Sequence, residues 1–140
     1  MYLEHLNLDV SDLDGSLRFY QAAFPHWKVR GGTEDERHGR ARQWLHFGDD
    51  YQYLAFNFYK NMQPYQNTDI HRASIGHFAF SVQNLEALET RLQAAGFHRS
   101  MDGSPEQHRK NAYYEDPNGF EVEFVEYFSD LPEERNTYPY

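Results

Sequence analysis

The 140 residues carry a formal net charge of −9, with 39% hydrophobic and 25% charged side chains and no cysteine. A chain this acidic lacks the basic face that a phosphate backbone requires, and without thiols it has neither disulfides nor thiolate ligands, so a metal must be held by histidine, carboxylate or water. Glu4, Asp9, Asp12 and Asp14 break up the apolar stretch of a signal peptide, and no run reaches the roughly 18 apolar residues of a membrane span, so the expected location is the cytoplasm.

In chain order, "LEHLNLDV" (3–10) reads as a strand and "DGSLRFYQAAF" (14–24) as an amphipathic helix. Strands follow at "HWKVRG" (26–31), "RQWLHFG" (42–48) and "YQYLAFNF" (51–58). Between them, "RGGTEDERHGRAR" (30–42) is glycine-rich and charged and is expected to form a solvated hairpin loop, with "TEDER" (33–37) as a charge run. "YKNMQPYQNTDIHRAS" (59–74) is polar, contains Pro64 and joins two halves.

The second half repeats the first. "IGHFAFSV" (75–82) is a strand and "EALETRLQAAGF" (86–97) a helix. "FHRSMDG" (97–103), "NAYYE" (111–115) and "FEVEFVEY" (120–127) are strands, the last two joined by a turn at "DPNG" (116–119) whose weaker counterpart is "GDD" (48–50). The tail "SDLPEERNTYPY" (129–140) is expected to be extended beyond a first helical turn. Leu3, His5, Leu6, Leu8, Val10 and Leu13 match Ile75, His77, Phe78, Phe80, Val82 and Leu85 at a constant offset of 72. The fold class is therefore α+β, two tandem βαβββ modules forming an open, curved sheet around a cavity. Residues 1–140 form one domain: a module of about 1–60, a linker of about 61–74, a module of about 75–127 and a tail.

Strand side chains alternate between faces. Leu6, Leu8 and Val10 face the helix, leaving His5, Asn7 and Asp9 opposite; Phe78, Phe80 and Val82 likewise leave His77, Ala79 and Ser81. In the last strand Phe120, Val122 and Phe124 face the helix, so Glu121, Glu123 and Val125 share the side of the histidines. A carboxylate there is costly unless solvated, paired or bound to a cation. The equivalent strand of the first half offers Tyr53, Ala55 and Asn57, with Ala55 opposite Glu123. His5, His77 and Glu123 are thus candidate metal ligands, a two-imidazole, one-carboxylate set that leaves positions open on a divalent ion. The competing reading of each strand histidine is a hydrogen-bonded structural residue. His46 shares a face with Trp44 and reads as packed or surface; His26, His38, His71 and His98 fall in polar segments and read as surface.

"LEHLNLDVSDLDGSLRFYQAAF", "IGHFAFSV" and "YYEDPNGFEVEFVEY" resemble the vicinal oxygen chelate superfamily, which includes glyoxalase I, bleomycin-resistance proteins, fosfomycin-resistance enzymes and extradiol dioxygenases. The resemblance runs from Leu3 to about Tyr127, and Asp116 to Glu123 is its most specific stretch. It implies one divalent metal (Fe, Mn, Zn or Ni) that chelates vicinal oxygens of a small-molecule substrate, and a homodimer. His5, His77 and Glu123 match three family ligands. Ala55 stands where glyoxalase I enzymes have a fourth, with Gln52 or Asn57 as substitutes through a register shift, and its lack of a carboxylate removes the usual base. Tyr113 matches a tyrosine near the metal of extradiol dioxygenases and fosfomycin thiol transferases, although the alternation of "NAYYE" does not separate it from Tyr114. Ala112 and His108 only partly fit the extradiol pattern; His108 is a candidate proton shuttle or a solvated loop residue. Ser104, His108, Arg109 and Lys110 loosely echo the fosfomycin enzymes' anion loop. The resemblance favours an extradiol-dioxygenase-like enzyme, ahead of a fosfomycin-type transferase and a metal-free binding protein of the bleomycin-resistance kind.

Overall fold

The strand, helix and three strands expected of each half are found in that order. The computed structural model describes residues 1–66, 71–104 and 106–138. Part of the 59–74 linker, Pro105 in the loop ahead of Arg109, and the last two residues of the tail lie outside that range. The chain divides into two units, Met1–Tyr65 and Gln66–Tyr140. The first contains β1 (His5–Val10), α1 (Leu13–Ala23), β2 (Lys28–Arg37), β3 (Arg40–Gly48) and β4 (Tyr53–Tyr59); its sheet order is β1-β4-β3-β2. The second contains β5 (Phe78–Ser81), α2 (Leu85–Ala94), β6 (Arg99–Asp102), β7 (Arg109–Glu115) and β8 (Glu121–Tyr127), in the order β5-β8-β7-β6. In each sheet the first strand runs parallel to the last and the other pairs are antiparallel. A single helical turn, α3 (Pro132–Arg135), follows.

The internal repeat extends to details that spacing alone does not reveal. Both helices start on a side-chain cap: Asp12 accepts from the amide of Gly15 at 2.8 Å, and Asn84 from that of Ala87 at 2.9 Å. Both last hairpins turn on an aspartate. The Asp49 carboxylate accepts from the amides of Tyr51 and Gln52, which holds its pKa down, and buried Asp116 accepts from those of Asn118 and Phe120. The ladder registers pair Leu6 with Leu54 and Phe78 with Val122, and Phe47 with Leu54 and Tyr114 with Val122. That superimposes Ala55 on Glu123, Tyr53 on Glu121, His46 on Tyr113 and Trp44 on Asn111. A β-bulge interrupts the second strand of each module at the same place, between Val29 and Gly31 and between Arg99 and Met101.

The helices bury unequal amounts. α1 buries Leu13, Phe19, Tyr20 and Ala23, and its Tyr20 ring lies 5.7 Å from that of Phe56; Leu8, Val10, Phe47 and Leu54 of the same sheet are buried too. α2 buries only Leu85, Leu88 and Leu92. Phe78 and Phe80 of β5 are half-buried. Part of that sheet's helix-side contact is polar: the Tyr114 hydroxyl donates to Glu89 at 3.0 Å, and Arg99 bonds the same carboxylate. Burial, then the hydrogen bond to Glu89, push the Tyr114 phenol up to about 12, while Arg99 holds Glu89 below the usual carboxylate range.

Residues 30–42 correct the sequence reading. They are not a loop: β2 runs to Arg37 and β3 starts at Arg40, joined by His38 and Gly39, both at positive φ (53° and 72°). Two successive left-handed residues form the tight hairpin turn whose twist matches the strands. Asp35 and Arg42, cross-strand partners, are joined by two hydrogen bonds, and Arg42 also donates to Asn57 at 3.1 Å. All ten residues of β2 are exposed, so no apolar alternation marks the strand. The strand expected at 75–82 is shorter than its pattern, and His77 stands one residue ahead of it.

Candidate metal centre

His77 and Glu123 meet within the second unit. The parallel ladder sets Ala79 against Glu123, which brings the preceding His77 alongside the carboxylates of β8. His77 Nε2 lies 3.2 Å from Glu123 Oε2, and its Nδ1 lies 3.7 Å from Glu121 Oε1. The other Glu123 oxygen, Oε1, accepts from Asn111 Nδ2 at 2.7 Å; the same amide nitrogen lies 3.2 Å from the Tyr113 hydroxyl. Tyr113 is opposite Glu123 in the β7–β8 ladder, and its ring meets His77 edge to face at 5.6 Å. Burial, and then the Glu123 charge, raise the Tyr113 pKa, so this phenol keeps its proton and is a donor at neutral pH. The ambiguity of "NAYYE" is thereby resolved: Tyr113 faces Glu123, and Tyr114 faces the helix.

His5 opens β1 in the first unit. Its Nδ1 is 2.9 Å from Glu4 Oε2, and its ring stacks on Tyr53 at 4.7 Å with an interplanar angle of 12°. Glu4 is within hydrogen-bond distance of His5 Nδ1, whereas Glu121 lies beyond that reach from His77 Nδ1. Two donor atoms each about 2.1 Å from one ion and at right angles lie about 3.0 Å apart. The 3.2 Å between His77 Nε2 and Glu123 Oε2 fits that spacing, and the nitrogen and oxygen donors suit a divalent ion. Among the described residues, no group of three or more His, Asp or Glu side chains is gathered in metal-holding geometry.

On the first sheet, Ala55 is 5% exposed and pairs across the ladder with His46. Asn57 does not replace the missing carboxylate, because its amide bridges Asn7, Asp9 and Arg42; that of Gln52 is tied to the Leu3 carbonyl at 3.0 Å. His46 is half-buried, with its ring 4.5 Å from Tyr53 and 5.1 Å from Trp44. Burial first, then the charges of Arg30 and His5, lower its pKa, with Glu4 opposing them. His108 precedes β7, and its Nδ1 lies 3.8 Å from Glu134 of α3. His26, His38, His71 and His98 are exposed. Asn111 escaped the sequence reading; its signal was its place two residues before Tyr113 on one strand face. Glu4 escaped it too, although it adjoins His5.

A family model described as the Glyoxalase/Bleomycin resistance protein/Dioxygenase superfamily matches residues 2–124. The chain is 26% identical over 129 residues to a lactoylglutathione lyase of Haemophilus influenzae, covering 90% of this chain and 93% of that protein. Its fold is similar to that of a glyoxylase/bleomycin resistance protein/dioxygenase domain from Frankia sp. EAN1pec, with a TM-score of 0.71, 20% identity and coverage of 91% and 98% of the two chains. It is also similar to the fosfomycin resistance protein FosX of Listeria monocytogenes complexed with Mn(II) and sulfate, with a TM-score of 0.65, 20% identity and coverage of 97% and 98%.

Proposed function

The chain belongs to the glyoxalase/bleomycin resistance protein/dioxygenase superfamily, and from that premise we propose that it is a divalent-metal enzyme acting on a small molecule with two adjacent oxygen functions. The observation that carries the reading is the 3.2 Å approach of His77 Nε2 to Glu123 Oε2, with the second Glu123 oxygen held by Asn111. His5, His77 and Glu123 would hold the ion, which when bound supplies a Lewis acid that polarises the substrate oxygens. The protein's own groups do the rest. Glu4 holds the His5 imidazole, Asn111 fixes the Glu123 carboxylate, and Tyr113, kept protonated, offers a hydrogen bond to negative charge developing on an oxygen beside it. With alanine at position 55 the first sheet has no carboxylate base there, so the residues favour nucleophilic addition or bond cleavage at a polarised substrate over carbon-to-carbon proton transfer. His108, beside Glu134, is the remaining candidate for proton relay.

Ring-cleaving dioxygenase chemistry is the second reading, and Ala55 favours it by leaving one more metal position without a protein donor. Metal content of the purified protein, followed by reloading with Fe(II), Mn(II), Zn(II) or Ni(II) and elemental analysis, tests the first claim. About one ion per chain is expected, and His77→Ala and Glu123→Ala should each weaken binding by more than the roughly 100-fold that loss of an outer partner costs. A protein that neither contains nor takes up metal would overturn the enzyme reading in favour of a binding protein. Oxygen consumption by Fe(II)-loaded protein with catechols then separates the two branches.

A further inference from the structure

Arg30 is placed by a device that the metal reading does not use. At the β2 bulge, Val29 pairs with Phe47 and Gly31 with His46, so Arg30 and Gly31 together oppose the single residue His46. Gly31 has no side chain, so Arg30 supplies the only side chain of the two residues that oppose His46. The next residue, Gly32, keeps the strands close: a Cβ there would collide with the Trp44 carbonyl oxygen and with Leu45. The Arg30 guanidinium rests 4.5 Å from the centre of the Tyr53 ring. Because β4 lies between β1 and β3, His5 reaches that ring from one side of the ladder, and His46 with Arg30 from the other.

Among the described residues Arg30 makes no ion pair, whereas Arg42 on the same sheet is committed to Asp35 and Asn57, and Arg109 of the second sheet to Glu106. A guanidinium held over an aromatic ring loses little further freedom and still has N–H donors to offer two oxygens of an anion. Neutral imidazole adds one N–H donor beside it. The geometry points to an oxyanion-binding subsite on the first sheet, in which Arg30 and His46, set around Tyr53, hold a carboxylate or phosphonate-type group of the small molecule. That this molecule is the substrate rests on the function proposed above; that the subsite binds anions does not.

The test uses chelator-treated, metal-free full-length protein at constant ionic strength, titrated with inorganic phosphate, with acetate and with chloride. Imidazole NMR signals, with His46 assigned by its loss in His46→Gln, and Trp44 fluorescence report binding. A saturable change at His46 with phosphate, acetate or both, absent with chloride and weakened at least tenfold in Arg30→Gln but less in Arg30→Lys, is expected; the anion that saturates names the group. The bound negative charge should also raise the His46 titration midpoint against the opposing charges of Arg30 and His5, in the sense already exerted by Glu4. A linear, chloride-like response, or equal binding by folded Arg30→Gln, would overturn the subsite. Circular dichroism identifies variants that fail to fold, and the phosphate response of Arg30→Lys keeps the test decisive if Arg30→Gln does. Metal uptake plays no part in this readout, so the subsite and the metal site fail independently.

Discussion

The two modules share one ladder register, one pattern of helix caps and one bulge position, yet equivalent positions carry opposite chemistry. Where the second sheet has Glu121, Glu123, Tyr113 and Asn111, the first has Tyr53, Ala55, His46 and Trp44. The second face is acidic and holds a histidine against a carboxylate; the first is aromatic and carries an arginine that, among the described residues, makes no ion pair. The hidden faces differ in the reverse direction. α1 seals an aromatic core around Tyr20 and Phe56, whereas α2 buries three leucines and relies on the Glu89, Arg99 and Tyr114 bonds. A duplicated backbone can thus keep its ladder while its open faces diverge, because pairing depends on main-chain hydrogen bonds and on the alternation of the covered side.

The largest effect expected of breaking this comparison lies in the cores. Phe56→Ala, at a fully buried ring, should cost about 3–5 kcal/mol, whereas Phe80→Ala, at a half-buried one, should cost about 1–2 kcal/mol. Urea unfolding of the two variants measures the difference, and equal losses would deny the asymmetry. Next come two asparagines on the open faces. Asn111→Ala should weaken divalent-metal binding roughly 10–100-fold in a chelator competition, because it frees the Glu123 carboxylate to turn. Asn57→Ala, which unties Asn7, Asp9 and Arg42, should leave metal affinity unchanged and lower stability by about 1–3 kcal/mol. The smallest effect is pH-dependent and belongs to the second core. Glu89 has a depressed folded pKa, chiefly from its Arg99 bond, so its contribution is full above the ordinary carboxylate range and is lost as the pH falls through the lower folded value. The stability gap between wild type and Glu89→Gln should therefore narrow on acidification; a constant gap would assign the role to packing.

What could be read from the sequence follows from burial. Leu6, Leu8 and Val10, and Phe120, Val122 and Phe124, alternate because one side of each strand must leave water, and that alternation carried the module repeat and the facing of His5 and Glu123. The extension of the β2–β3 hairpin through residues 31–41 was hidden because every residue of β2 is exposed and no apolar alternation marks it. Its pairing rests on the His38–Gly39 turn and the Asp35–Arg42 bond, and histidine at positive φ is a weaker turn signal than asparagine. The grouping of Arg30 with His46 and Tyr53 could not be read, since a bulge shifts the register by one residue and strict alternation does not count it. Tyr113 and Tyr114 were inseparable for want of any difference in side-chain type; the Glu89 bond on one side and the Asn111 contact on the other tell them apart.

The paired bulges bear on ancestry. An extra residue inserted at the same rung of both sheets is most simply older than the duplication that made two copies from one. The bulged residue is arginine in one module, Arg30, and serine in the other, Ser100. The same backbone irregularity thus presents a different side chain in each module.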